Sequence, residues 1–266
     1  MKFGIKSVAA ALLAGLVLVG CGQKEENKPL KVGAIAGAEA QLVETAAKVA
    51  KEKYGLTVEV VTFSDFATPN VALNDGSIDL NAFQHKPYLD SQIKDRGFKL
   101  VAVGNTFVYP IAGYSKKIKS LNDLQEGAQI AVPNDPTNLG RSLILLAKQG
   151  LITLKDNSNL NATVLDITAN PKNLKIVELE AAQLPRSLED VDLAVINTVY
   201  AAQVDLLPGR DGLFVEDKDS PYVNLVVARE DNKDQERVKQ FVQSYESEEV
   251  YQKGMELFKG GLVKGW

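Results

Sequence analysis

The chain has 266 residues, 45% of them hydrophobic and 24% charged, with a formal net charge of −4 at neutral pH. That length suffices for a sizeable core in one or two domains, and the acidic balance gives no basic field of the kind that marks a nucleic-acid binder. One cysteine and one histidine exclude a disulfide framework within the chain and leave too few ligands for a zinc site built from several Cys and His.

The chain begins MKFGIKSVAAALLAGLVLVGC. Lys2 and Lys6 precede an uncharged apolar run from Val8 to Val19. That run is too short for a membrane span of about 20 residues, but it suits the apolar part of a secretory signal. It ends in LVGC, which resembles the lipobox of bacterial lipoprotein signals, with the sole cysteine at the last position. Residues 1–20 are read as signal peptide and Cys21 as the lipid-bearing first residue of the mature protein. The alternative is an ordinary secretory signal with a chance cysteine. More than one acyl chain on Cys21 would anchor stably, where a single chain is marginal. Residues 21–29 are polar, lack apolar periodicity and read as a flexible tether.

Strand and helix patterns then alternate. LKVGAIAG is a short apolar strand, and the following segment places Leu42, Ala46, Val49 and Ala50 on one helical face before Gly55. TVEVVTF reads as a β-branched strand, followed by a short helix around Asn70–Asn74, the apolar SIDLNAF and a helix from about Lys86 to Arg96. KLVAVGNTFVYPIAGYS is expected to give two strands with a turn around Gly104–Asn105. Ser120 and Asp123 form an acidic variant of the capping box. AVPNDPTNLGRSLILLAKQG reads as a strand, a turn of capping residues and a helix. A polar, turn-rich stretch ends in the strand LKIVELE, followed by a short helix in AAQLPRSLED, the strand VDLAVIN and a helix in TVYAAQVDLL. The strand YVNLVVARE and a single last helix over residues 235–258 complete the chain. The alternation predicts an α/β fold with mostly parallel sheets flanked by helices, arranged as two lobes with a ligand cleft where strand ends meet.

Enzyme signatures are missing: no G-x-S-x-G, no glycine-rich phosphate loop followed by Lys, and no G-x-G-x-x-G after a strand. With a single histidine, nucleophilic triads have few possible arrangements; paired carboxylates for acid–base work stay open among 34 acidic residues. The more informative feature is Arg141, a permanent cation in or next to the first turn of its helix, where the macrodipole disfavours it. One reading makes it half of a two-point clamp with exposed amides of the helix N-terminus, matched to a carboxylate. The other pairs it on the surface with Asp135 or Asp166, which is worth little. Phe83, His85 and Tyr88 stand where an apolar strand becomes a helix, and Phe66 stands at a similar junction. They are either pocket-lining rings or core and cap residues. Asn197 and Asn224, at and within apolar strands, are either cleft amides or ordinary turn residues.

The segments FQHKPYL, VGNTFVYPIAGYSKKIKSL, VPNDPTNLGR, LEAAQLPRSLEDVDLAVINT, EDKDSPYVN and GLVKGW resemble the methionine-binding lipoproteins of bacterial methionine ABC importers, the NlpA lipoprotein family. The likeness runs from the lipobox to the last residue. It implies a two-lobed periplasmic binding protein of type II-like form, with lobe 1 at 30–112 plus 223–266 and lobe 2 at 113–222. It also implies capture of methionine outside the cytoplasmic membrane and delivery to a permease with its ATPase, without catalysis, metal or cofactor. By the same resemblance Arg141, with Asn138 beside it, binds the ligand carboxylate, and Asn197 and Asn224 hold the amino and carboxylate groups. Phe66, Phe83, His85 and Tyr88 line the side-chain pocket. Phe66 stands where relatives often carry tyrosine, and Leu80 replaces a small residue before Asn81. Another amino acid, a methionine-containing dipeptide or a sulfonate in the same cleft, and an adhesin or structural surface lipoprotein, are the rival expectations. The anchor belongs to the cell envelope; Gly22, in place of a retention aspartate, leaves the receiving membrane open.

Overall fold

Apolar runs long enough for short strands build two main sheets, the first entered by the chain twice and the second once. The computed structural model describes residues 28–266; the signal peptide, Cys21 and most of the tether lie outside the described residues. Chain order begins with β1 (Leu30–Ile35), α1 (Ala38–Tyr54), β2 (Val58–Phe63), α2 (Thr68–Asn74), β3 (Leu80–His85), α3 (Lys86–Arg96) and β4 (Leu100–Val108). The chain then crosses to β5 (Ala112–Tyr114), β6 (Gln129–Pro133), α4 (Pro136–Lys148), β7 (Thr153–Leu154), β8 (Ile167–Ala169) and β9 (Lys175–Leu179). After α5 (Leu184–Ser187), β10 (Leu193–Ile196), α6 (Thr198–Ala202), α7 (Pro208–Asp211) and β11 (Phe214–Val215), it crosses back. It ends with β12 (Val223–Arg229), α8 (Glu236–Tyr245), α9 (Glu248–Leu257) and β13 (Val263–Lys264).

The first sheet has the order β13-β4-β12-β3-β1-β2 and the second β11-β5-β10-β6-β9, with β7 and β8 forming a separate ribbon. Both main sheets are mixed rather than mostly parallel. Strands joined through helices pair in parallel, as β1 does with β2 and β3 and β6 with β9 and β10. The strands that carry the chain between sheets run antiparallel to their neighbours: β12 beside β3 and β4, and β5 beside β10 and β11. A crossover helix permits parallel pairing, whereas a chain that leaves and returns has no helix to reverse it.

Three expectations change. No turn occurs at Gly104–Asn105, because β4 runs through both residues. A Cβ on Gly104 would stand 2.6 Å from a methyl of Val242, so this glycine lets α8 approach the strand. The last helix is two helices, broken at Glu246–Ser247, where the Ser247 hydroxyl accepts from the Val250 amide and restarts the helix with Glu248 and Glu249 in its first turn. The helix in TVYAAQVDLL stops at Ala202, and Asp205 takes a positive φ of 57°. By contrast, the Ser120–Asp123 capping box is formed in both directions, and the expected face of α1 (Leu42, Ala46, Val49, Ala50) is buried. Among the described residues no helix is long and apolar enough to cross a membrane.

The largest apolar cluster does not stop at the sheet boundary. It joins Leu42, Phe107 and Phe241 around the first sheet to Tyr109, Tyr114, Ile196 and Tyr200 around the crossings and the second. On the other face of the second sheet, α4 packs Leu139, Leu143 and Leu146 onto Ile130, Val132 and Val195. The α4 backbone lies against the 160–162 segment, so a Cβ on Gly140 would fall 2.3 Å from the Leu160 carbonyl oxygen. Helix propensity alone would make Gly140→Ala a gain of about 1 kcal/mol. The backbone clash should reverse the sign, costing about 1–3 kcal/mol of stability. Urea denaturation checks this, and an unchanged or raised midpoint would contradict the close packing.

Candidate functional site

The C-terminal ends of β3, β6 and β10 meet the crossings at one cleft, the position where open α/β sheets place ligands. Its empty space is about 380 Å³, mouth included. The cleft is lined by all eight residues singled out from the sequence: Phe66, Phe83, His85, Tyr88, Asn138, Arg141, Asn197 and Asn224. Gln84, Tyr109, Thr198 and Val199 complete the lining.

Arg141 is the sixth residue of α4, one turn beyond the strongest part of the dipole, and only 4% exposed. It pairs with neither Asp135 nor Asp166. Its Nε donates to Glu216 Oε1 at 2.8 Å, and its Nη2 donates to Glu216 Oε2 and to the Tyr109 carbonyl oxygen at 3.0 Å. The ring of Tyr222 covers the guanidinium with its centroid 4.2 Å from Cζ, a favourable stack for a partly desolvated cation. Tyr109 lies on the first crossing, Glu216 and Tyr222 on the second. Nη1 has no protein partner among the described residues, and the side chain borders the cleft.

The amide half of the expected clamp is partly occupied. Asp135, the N-cap of α4, accepts from the Asn138 amide at 3.0 Å, from the Thr137 hydroxyl at 3.1 Å and from Asn138 Nδ2 at 3.0 and 3.1 Å. The protein's own carboxylate thus takes the anion position at this helix start. The Asn138 oxygen is also engaged: its Oδ1 accepts from Asn197 Nδ2 at 2.9 Å and faces His85 Nε2 at 3.2 Å. It therefore orients its neighbours while it lines the cleft.

His85 is the N-cap of α3, where its Nδ1 accepts the Tyr88 amide at 3.1 Å. That fixes the neutral tautomer with the proton on Nε2, which donates to Asn138 across the cleft. Burial, then the nearby Arg141 charge, push its pKa down to about 3. Asn197 commits Nδ2 to Asn138, and its buried Oδ1 has no partner. Asn224 sits opposite His85 in the β3–β12 register and commits Nδ2 to the Phe83 carbonyl at 3.0 Å, which leaves its Oδ1 free. Both amides thus present acceptors.

The ring pocket is one connected group. Phe66 lies 5.9 Å from Phe83, 6.3 Å from Tyr88 and 4.9 Å from Tyr200 between centroids. The Tyr88 hydroxyl donates to the Phe66 carbonyl at 2.8 Å, so the loop bearing Phe66 is held by its backbone. Phe83 answers to both earlier readings, being a core residue and a cleft wall. Behind this wall Asn70, Asn81 and Gln84 close a buried triangle of amides at 2.6–2.9 Å. Among the described residues no group of three or more His, Cys, Asp and Glu side chains could hold a metal.

Sequence reasoning missed Glu216, Tyr109, Tyr222 and Tyr200 as parts of the site. Tyr109 and Tyr222 carried a usable signal, since each ends or precedes an apolar strand as Phe83 does. Glu216 carried none, because its pairing with Arg141 joins residues 75 positions apart.

Comparison with known proteins gives a consistent result. The family model described as NlpA lipoprotein matches residues 30–266. The D-methionine-binding lipoprotein MetQ of Escherichia coli (strain K12) is 68% identical over 271 residues, covering 100% of both chains. A crystal structure of the methionine-binding protein MetQ superposes with a TM-score of 0.88 at 70% identity, over 89% of this chain and 98% of that one. A nutrient-binding protein from Burkholderia cenocepacia, solved with methionine bound, has a TM-score of 0.87 at 52% identity, over 89% of this chain and all of that one.

The tautomer assignment has a clean readout, because His85 is the single histidine. Its imidazole resonances should not titrate between pH 5 and 8. With a folded pKa depressed from 6.5 to about 3, its contribution to stability is complete above about pH 6.5 and is lost as pH falls below it. An NMR titration with a midpoint near 6.5 would contradict the buried, neutral ring.

Proposed function

We propose that this chain, which belongs to the NlpA lipoprotein family, is a lipid-anchored substrate-binding protein of an ABC importer that captures methionine and hands it to the membrane permease. Cys21 carries the anchor, and the partners are the permease and its ATPase. The lobes that close on the ligand are residues 30–112 with 223–266, and 113–222. No catalytic step is assigned to it.

The observation that carries the reading is the pattern of polar atoms left unused at the cleft. Arg141 offers the Nη1 edge, a charged donor suited to a carboxylate. Asn197 Oδ1 and Asn224 Oδ1 are acceptors without partners, suited to an ammonium, which only donates. The rings of Phe66, Phe83 and Tyr88 supply an apolar slot in which a thioether gains contact with aromatic edges. A zwitterion with a soft apolar tail uses all three features. A sulfonate would use the guanidinium and leave both amide oxygens unsatisfied.

Methionine has about nine heavy atoms, so a ceiling of roughly −1.5 kcal/mol per atom allows about −13 kcal/mol and hence nanomolar capture. Arg141→Ala should lower methionine affinity by at least ~2 kcal/mol, about thirtyfold. Calorimetry on the variant measures this, with circular dichroism confirming its fold. Unchanged affinity in a folded variant would remove Arg141 from the ligand site. A thermal-shift panel of amino acids, dipeptides and sulfonates should give its largest shift with methionine, and a larger shift with another class would reassign the ligand.

A further inference from the structure

Glu39 is a buried carboxyl that the binding scheme leaves unused. It stands in the first turn of α1 and is 2% exposed. Its Oε2 accepts the Ile35 amide at 3.2 Å, and its Oε1 lies 3.5 Å from Nδ2 of Asn224. The same Nδ2 donates to the Phe83 carbonyl, so Glu39 and β3 together turn the Asn224 amide until its oxygen faces the cleft. Three phenols are close enough to sense the carboxylate: Tyr109 of the first crossing, Tyr200 of α6 and Tyr245 of α8. All three are themselves pushed to higher pKa by burial. No lysine or arginine pairs with Glu39 among the described residues. An anion buried without a cation is costly.

We propose that Glu39 is the positioning residue of the amine end of the cleft and the latent counter-charge for a bound ammonium, so that capture of a cationic amine expels the Glu39 proton to solvent. The inference rests on the reading of the ligand as an amino acid. Before binding, burial raises the Glu39 pKa to about 8, against smaller opposing effects of the Ile35 and Asn224 hydrogen bonds, and the carboxyl is neutral at pH 7. An ammonium held at Asn224 Oδ1 brings a positive charge to within one amide of it, in surroundings of low dielectric where charges interact strongly. The carboxylate form is then favoured. The proton goes to buffer, and the site exchanges a neutral acid for an ion pair bridged by Asn224. The ligand amine enters already protonated and releases nothing. His85, held neutral, also releases nothing.

The test is calorimetry of methionine binding at pH 7 in buffers of low and high ionisation enthalpy, phosphate and Tris. The apparent heats should differ by an amount equal to release of about half to one proton per ligand, since a group with a pKa near 8 is mostly protonated at pH 7. Affinity should rise as pH increases from about 6 to 8, by up to tenfold per unit, and level off above. Glu39→Gln should abolish the proton release and flatten the pH profile, with affinity at pH 8 reduced about tenfold. A role confined to packing would lower affinity without changing proton stoichiometry. Equal heats in both buffers with tight methionine binding would overturn this proposal and leave the functional reading intact. Release undiminished in Glu39→Gln would assign the proton to another group, Asp135 being the next buried carboxyl, and would also overturn it. Failure of methionine to bind at all would overturn the functional reading, and this inference with it.

Discussion

A guanidinium has to be buried at the meeting point of two lobes, and much of the site's geometry follows from how that charge is satisfied. Leaving such a cation unpaired would cost several kcal/mol. Here the compensation comes from three groups on the two chain crossings: the Glu216 carboxylate, the Tyr109 carbonyl and the Tyr222 ring. Arg141 itself rides on α4 of the second sheet. One side chain thereby ties the helix that borders the cleft to both segments about which the lobes would move. In the proposed scheme, a ligand carboxylate arriving at Nη1 would meet a donor whose orientation is already fixed, which would reduce the ordering cost of binding.

The same accounting of donors and acceptors explains the division of labour among the other polar residues. Asp135, Asn138, His85 and Asn197 form a chain in which nearly every donor meets an acceptor. A closed chain of this kind is stiff, and its members are costly to leave half-satisfied. It therefore serves to direct the few remaining atoms, above all Asn197 Oδ1, into the cleft. The His85–Asn138 contact also joins the first sheet to the second. On another side of the junction Gln203 donates to the Ala36 carbonyl at 2.8 Å and the Tyr200 hydroxyl to the Ser64 carbonyl at 3.3 Å. Beside the charged Arg141–Tyr109 contact, the links across the junction are thus neutral hydrogen bonds between groups that water can also serve. Such links have modest net strength, which suits a protein that must open to release its cargo.

Much of this was legible in the sequence, for reasons that differ from residue to residue. The α1 face, the Ser120–Asp123 box and the strand-to-helix junctions bearing Phe66 and Phe83 are local patterns, and the structure keeps them. The eight residues singled out converge because strand ends and helix starts at a lobe boundary meet there, although core and cap roles fitted several of them equally well, and Phe83 and His85 fill both. Long-range facts were hidden. The Glu216–Arg141 pair and the seat of Glu39 behind Asn224 depend on crossings and on packing between distant elements. Gly104 misled because a glycine before asparagine looks the same whether it makes a turn or admits a neighbouring helix. The last helix misled because the apolar spacing continues past Ser247, although the serine and the two glutamates after it already spelled a restart. Arg141 was correctly singled out as a cation needing an explanation, but that explanation begins with a protein carboxylate.

The most direct measurement is a crystal structure of the protein with methionine bound. The ligand carboxylate should lie about 3 Å from Nη1 of Arg141, with the Glu216 pair intact and the ammonium against the oxygens of Asn197 and Asn224. A guanidinium turned away to solvent, or a carboxylate bound elsewhere in the cleft while Arg141 touches only protein, would contradict the account at its centre.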